Sequence, residues 1–394
     1  MNPWKGLRGL PRPLWTLALA TLINRAGTMA LPFLVLYQMR VLHLGAPQAG
    51  VALVVYGVSA MAAAPLGGRL SDRLGSVPVM KASLTASGLL MIVLPFVKGW
   101  IPLLVLVSAW SLSAELFRPA NMAILADLAP PDLRKATFAL NRLAINLGMS
   151  IGPAVGGFLA SRSYPALFMV DGITSLLSAG VLSLWIAAPP PRRHAEGART
   201  SHAAWKDRRF MLYLLASLPV LIVFFQHEGP MPVYLVRDLH FGEAFYGLIF
   251  TVNTLLIVSV EVAINLAMAH WSHARIHVVG ALLYGLGFGA TAYVATKAGL
   301  LATVIVWTFA EMILLPGMAD FVTHLAPAER RGEYMGLYTL SFGVAFSLGP
   351  WLGVLAYGRL GPFALWNLCL GLGVLSAALL GWICREPIKR TAES

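Results

Sequence analysis

The feature that most constrains this chain is a succession of long apolar runs separated by short polar connections. They fall at residues 13–37, 48–69, 78–97, 100–126, 136–160, 165–187, 210–236, 244–269, 275–296, 299–322, 333–358 and 361–384. A helix rising about 1.5 Å per residue needs about 20 such residues to cross roughly 30 Å of hydrocarbon. The pattern therefore predicts an all-α membrane protein with twelve transmembrane helices. Composition closes the soluble alternative: 58% of the 394 residues are hydrophobic and 12% charged, against about 45–50% and about 25% in soluble domains. The first run follows Lys5, Arg8 and Arg12 and is longer than a signal-peptide core, so it reads as a retained span.

The net charge of +12 does not point to nucleic acid, because the basic residues sit in short clusters between spans and form no single patch. Assigned to alternate faces, they divide unequally. Twenty, including Arg69, Arg73, Lys81, Arg192, Arg193, Arg330 and Arg331, share the face of the termini, six lie opposite, and Arg25, Arg118 and Arg142 lie within spans. By the positive-inside rule both termini are cytoplasmic, which predicts a multi-pass protein of the cell inner membrane. Cys369 and Cys384 fall in one run, about 22 Å apart along a helix, too far to bridge. No Cys or His spacing suggests a metal site, no phosphate-binding loop occurs, and no cofactor is expected.

One long polar connection, which includes Pro189 to Pro191, divides the spans six and six. It predicts an N-terminal half at 1–187, a cytoplasmic linker at 188–209 and a C-terminal half at 210–394. A shift of 197 residues aligns the halves: Pro119 falls on Pro316, Leu128-Ala129-Pro130 on Leu325-Ala326-Pro327, Arg134 on Arg331, Gly152-Pro153 on Gly349-Pro350, and Gly156 on Gly353. Two pseudo-symmetric six-helix halves of like topology are an architecture of secondary transporters, with the substrate near midplane between the repeats.

Three stretches of the sequence also carry a family resemblance. Gly68-Arg69-Leu70-Ser71-Asp72-Arg73-Leu74-Gly75, between the second and third spans, resembles the loop signature of the major facilitator superfamily; Ser76-Val77-Pro78 replaces its usual basic pair. Gly148-Met149-Ser150-Ile151-Gly152-Pro153-Ala154-Val155-Gly156-Gly157 is similar to the fifth-span pattern of its twelve-span drug:proton antiporter branch. Glu311 through Gly336 resembles the tenth-span and loop pattern of multidrug exporters there. The fourth-span Arg-x-x-Gln-Gly signature is missing, and the second-half loop copy, Asn265 to Ala274, is degraded. The resemblance implies that spans one, four, seven and ten line a central cavity. It also implies that Gly68, Asp72, Arg73 and Gly75 act in conformational change, with Asp72 holding one state closed. Independently, Gly148, Gly152 and Gly156 share a helix face suited to close packing, and Pro153 a bend.

Ionisable residues inside spans are costly and mark candidate sites. Glu115 and Arg118, at i and i+3, are expected to neutralise each other, with Arg25 as a third member. His227 and Glu228 form a candidate proton pair. Glu261 has Asn265 one turn on. Glu311 is the principal candidate for proton coupling, with Glu228, His227 and Glu115 behind it. Asn24, Arg25, Arg118, Trp307, Phe224 and Phe225 are candidate cavity residues. Asp171 and Arg142 receive no role. The expected function is a monomeric secondary active transporter, working by alternating access among membrane lipids and exporting lipophilic small molecules in exchange for protons. The alternatives are movement of a lipid or glycolipid, proton-coupled uptake of a polar solute, and a non-transporting sensor on a transporter fold. No nucleophile with its base or metal cluster suggests an enzyme.

Overall fold

A computed structural model describes residues 9–130, 133–186, 204–327 and 330–385; most of the expected linker lies outside them, with Arg192, Arg193 and Arg199. All regular structure among the described residues is helical. The first span is two helices, α1 (Arg12–Gly27) and α2 (Ala30–Arg40), followed by α3 (Ala46–Leu74) and α4 (Ser76–Val93). The next span is also broken, into α5 (Trp100–Glu115) and α6 (Phe117–Leu128), and α7 (Arg134–Ala160) and α8 (Tyr164–Trp185) complete this part of the chain. Then come α9 (Arg208–Phe224), the short α10 (Pro230–Val233), α11 (Glu243–Ala267), α12 (His273–Ala290), α13 (Lys297–Leu325) and α14 (Arg331–Ile383). Counted as continuous stretches, eleven among the described residues are long and apolar enough to cross a membrane, against twelve expected, because the last two expected runs lie in one stretch. The last, of 53 residues, contains Gly361 at φ 83°, ψ 167°, a conformation open essentially to glycine alone.

Proline accompanies each of these breaks, although Pro65, Pro153, Pro219, Pro316 and Pro350 lie inside continuous helices. Pro32 has no N–H to offer the carbonyl of Thr28, Pro119 none for Glu115, and Pro230 and Pro232 none for Gln226 and Glu228. In each case the helix is interrupted within a few residues of the orphaned carbonyl. Thr28 also turns its hydroxyl back onto the Asn24 carbonyl, 3.0 Å away.

The stretch Gly68 to Gly75, expected as a loop, is mostly helix. α3 continues through Leu74, and Gly75 alone, at φ 88°, separates it from α4. Between Gly68 and Gly75 no glycine or proline occurs, and a glycine at 75 turns the chain without a linker.

The chain divides into two compact units, one of Met1–Glu196 with His240–Thr254, the other of Gly197–Leu239 with Leu255–Ser394. α11 is shared because its first half packs tightly on α7. A Cβ on Gly247 would lie 2.2 Å from the Pro153 carbonyl oxygen, and one on Gly157 2.6 Å from that of Glu243. In the first unit Leu14, Leu17, Met80, Leu84, Phe117, Ile124 and Leu182 form a buried core. Outward-facing Leu184, Val262 and Leu266 are 79%, 70% and 72% exposed, as expected of side chains whose solvent is lipid.

Candidate functional site

In the first unit, the breaks in α1–α2 and α5–α6 bring polar side chains together. Tyr56 of α3 donates to Glu115 Oε1 at 3.3 Å, and Arg118 reaches Glu115 Oε2 at 3.6 Å, as the i, i+3 spacing predicts. Arg25 lies in the last turn of α1, within electrostatic reach of Arg118, Glu115 and Tyr56. Its Nε is buried and makes no hydrogen bond among the described residues. A cation in the final turn is favoured by the partial negative charge of the helix end. The cluster holds two guanidinium groups and one carboxylate, so it carries one net positive charge. Asn24 adjoins it, half-buried, through the turn that Thr28 closes.

The second unit has its own cluster at the break between α9 and α10. His227 Nδ1 contacts the Phe224 carbonyl, and Nε2 lies 3.5 Å from Glu228 Oε1, the two side chains being 10% and 12% exposed. The carbonyl can only accept, so Nδ1 carries a hydrogen. Nε2 is then protonated only when the ring is cationic. A proton shared by the pair would sit either on Nε2, as imidazolium with carboxylate, or on Glu228, as carboxylic acid with neutral imidazole. Glu311 of α13 acts electrostatically on His227 and on Tyr284 of α12. The rings of Trp307 and His227 stack at 6.1 Å, and Phe224 and Phe225 pack on the same imidazole at 4.9 Å and 6.3 Å. The Tyr284 hydroxyl, Trp307 Nε1 and Glu228 Oε2 are buried without hydrogen-bond partners among the described residues. Phe224, Phe225, His227 and Glu228, from one short segment, are therefore neighbours of Trp307 and Glu311 on α13. Glu261 lies elsewhere on α11, and Asn265 donates to its backbone carbonyl at 2.9 Å.

The glycine face of α7 is the seat of the α1–α2 break. Cβ atoms at Gly148, Gly152 and Gly156 would meet Arg25 Cβ at 2.4 Å, the Arg25 carbonyl at 3.0 Å and Met29 Cβ at 2.7 Å. In the second unit, Gly349 lies against the Ile222 carbonyl and Gly353 against Gln226. Both contacts are those of Gly152 and Gly156 moved on by 197 residues at each partner. At the end of α3, Gly68 has open space around it, whereas Gly67 closes on Pro119, its added Cβ 2.5 Å from Cγ. Asp72 and Arg73 are exposed, and Asp72 makes no hydrogen bond or ion pair among the described residues.

Two buried acids gained their roles only from the structure. Asp171 of α8 accepts from the backbone N–H groups of Met29 and Ala30 at 3.2 and 2.9 Å, capping the start of α2. Glu243, at the start of α11, accepts from Tyr164 at 3.1 Å and pairs with Arg40. The signal for Asp171 was an acid alone in an apolar run; its partners, about 140 residues away, gave none.

The family model described as Major Facilitator Superfamily matches residues 17–350 and 229–394. A Na(+), Li(+), K(+)/H(+) antiporter of Planococcus maritimus is 25% identical over 364 residues, covering 83% of this chain and 85% of the relative. Multidrug resistance protein MdtH of Salmonella typhimurium is 23% identical, covering 80% of each. Among solved structures, a POT family transporter in complex with 5-aminolevulinic acid superposes with a TM-score of 0.79 at 18% identity, covering 96% of each chain.

Proposed function

This chain belongs to the major facilitator superfamily, and from that premise we propose that it is a proton-coupled antiporter exporting lipophilic small molecules. It is a multi-pass membrane transporter of a small-molecule substrate and not an enzyme. The finer reading rests on the cluster of His227, Glu228 and Glu311, two carboxylates and an imidazole among aromatic rings. Such a cluster can exchange a proton for an organic cation, because the same carboxylates can hold either one. A multidrug resistance protein among the relatives supports the same direction.

The proposed architecture is twelve spans in two six-helix halves, 1–187 and 210–394, joined by the linker 188–209. α14 is far longer than one bilayer crossing needs, and Gly361 divides it into spans eleven and twelve. The recurrence of the glycine contacts at a shift of 197 supports the repeat. Both termini are cytoplasmic, the membrane is the bacterial inner membrane, and the working unit is a monomer in lipid. Asp72 acts in the conformational cycle: its exposure here leaves it available to cap or pair in another state.

In proteoliposomes bearing a pH gradient, the wild type should drive a fluorescent lipophilic cation against its gradient and release protons on substrate addition. Glu311→Gln should abolish both while keeping expression and substrate binding. Normal gradient-driven transport by Glu311→Gln would refute the coupling assignment. A second reading, exchange of monovalent metal cations for protons, is favoured by the relative that performs it. Dissipation of the pH gradient by Na+ or K+ alone, without effect of the organic cation, selects it.

A further inference from the structure

We infer that the facing ends of α12 and α13 form a binding site for a divalent transition-metal ion of the zinc type, held by His273, Asp320 and His324. One ligand atom from each of the three side chains lies within 4.8 Å of the others. His324 Nδ1 stands 3.2 Å from Asp320 Oδ1, and His273 Nδ1 stands 3.7 Å from Asp320 Oδ2. Zinc bonds of about 2.0–2.1 Å in a tetrahedral site place ligand atoms about 3.4 Å apart. The His273–Asp320 separation is close to that value. His324 Nδ1 donates to the Asp320 backbone carbonyl at 2.9 Å, so this ring would ligate through Nε2, which keeps its lone pair.

The ligands are presented by rigid elements. Asp320 and His324 are one turn apart on α13 and share a face; His273 is the first residue of α12. Behind it, His277 bonds the His273 carbonyl through Nδ1 at 2.7 Å and the Tyr213 hydroxyl through Nε2 at 2.8 Å. Phe321 packs edge-on against His273 at 5.4 Å. The His273 Nδ1 atom is buried and has no hydrogen-bond partner among the described residues. Its lone pair is therefore unclaimed in the tautomer that carries hydrogen on Nε2. Asp320 and His324 are about half exposed, at 53% and 55%, which gives an ion a path in and leaves a coordination position for water.

Two imidazoles and one carboxylate suit zinc, cobalt(II) or nickel(II) better than magnesium or calcium, which prefer all-oxygen sets. An ion there would pin the first turn of α12 to the end of α13. Glu311 lies nine residues earlier on α13, about 13 Å along the helix, so the clamp would fix the helix that bears it. Metal binding itself stands apart from any reading of the transported substrate.

The test is titration of the purified full-length protein, free of any polyhistidine tag, with Co2+ and then Zn2+. One Co2+ per chain should bind saturably, with ligand-field bands in the visible, and Zn2+ should displace it. His273→Ala, His324→Ala and Asp320→Ala should each weaken Zn2+ at least tenfold, whereas His270→Ala, in the exposed turn before α12, should leave it unchanged. Absence of saturable binding to the wild type overturns the proposal whatever the variants do. Equal affinity in His324→Ala and Asp320→Ala, with melting temperatures matching the wild type, overturns it as well. Should either variant misfold, Asp320→Asn is read in its place: retained affinity there counts against the site and a tenfold loss for it.

Discussion

At the scale of single residues, the acids within the spans fall into different roles because their surroundings differ. Asp171 faces two backbone donors at a helix start, so its service is to satisfy groups that a broken span leaves bare. Asp171→Ala should lower the melting temperature clearly, since each unsatisfied buried N–H costs about 1–3 kcal/mol. Asp171→Asn, which keeps an accepting oxygen, should lower it less; equal losses would deny the cap its role. Glu115 shares its carboxylate with Tyr56 and Arg118, whereas Glu228 faces an imidazole that can itself take up a proton. Glu228→Gln should therefore remove substrate-induced proton release, and Glu115→Gln should retain it while altering substrate preference. Both outcomes are read from proton release in proteoliposomes, and loss of release in Glu115→Gln would move the coupling group to the first unit.

Among helices, close approach is decided by glycine. Backbone atoms of α1 lie where a side chain on Gly148 would stand. Gly148→Ala and Gly156→Ala should each destabilise the protein by about 1–3 kcal/mol through overpacking, and both should depress transport. Gly68→Ala, with open space around it, should leave the melting temperature unchanged. A stable Gly148→Ala variant would show that the α1 break can shift away from α7. Asp72→Asn should likewise leave folding intact, because no described contact is lost, while transport falls and the conformational population shifts. Unchanged transport by Asp72→Asn would reduce the end of α3 to a topology signal.

For the whole molecule, the number of crossings determines where the C-terminus lies. With Gly361 dividing α14, single cysteines at Lys98 and at Arg359 should react with an impermeant thiol reagent in intact cells, and those between Ala195 and Ala203 should be shielded. These experiments need Cys369 and Cys384 replaced first, although both are buried. Labelling at Ala195 to Ala203 with protection at Lys98 would invert the topology. Protection at Arg359 alone would remove the division of α14.

Helix content and the approximate extent of the first ten spans follow from the sequence because, in lipid, every backbone group must be satisfied within its own segment; the last two expected runs share one stretch of 53 residues. The i, i+3 pairing of Glu115 with Arg118 was legible for the same reason: helix geometry alone sets it. The closing of Gly148, Gly152 and Gly156 on another helix was legible as a stripe, though not the identity of the partner. Nothing local foretold that Asp171 caps α2, that Glu243 joins Arg40 and Tyr164, or that His273 meets Asp320 and His324. Those contacts join segments tens to hundreds of residues apart, and their partners are selected by how helices pack. The same limit applies to the Gly68–Gly75 stretch, where a motif suggested a loop and continuous backbone hydrogen bonding kept a helix to its final residue. Periodicity and hydrophobicity act along the chain, so the sequence determined the spans; which buried polar groups find one another depends on distances across it, and only the tertiary structure decided that.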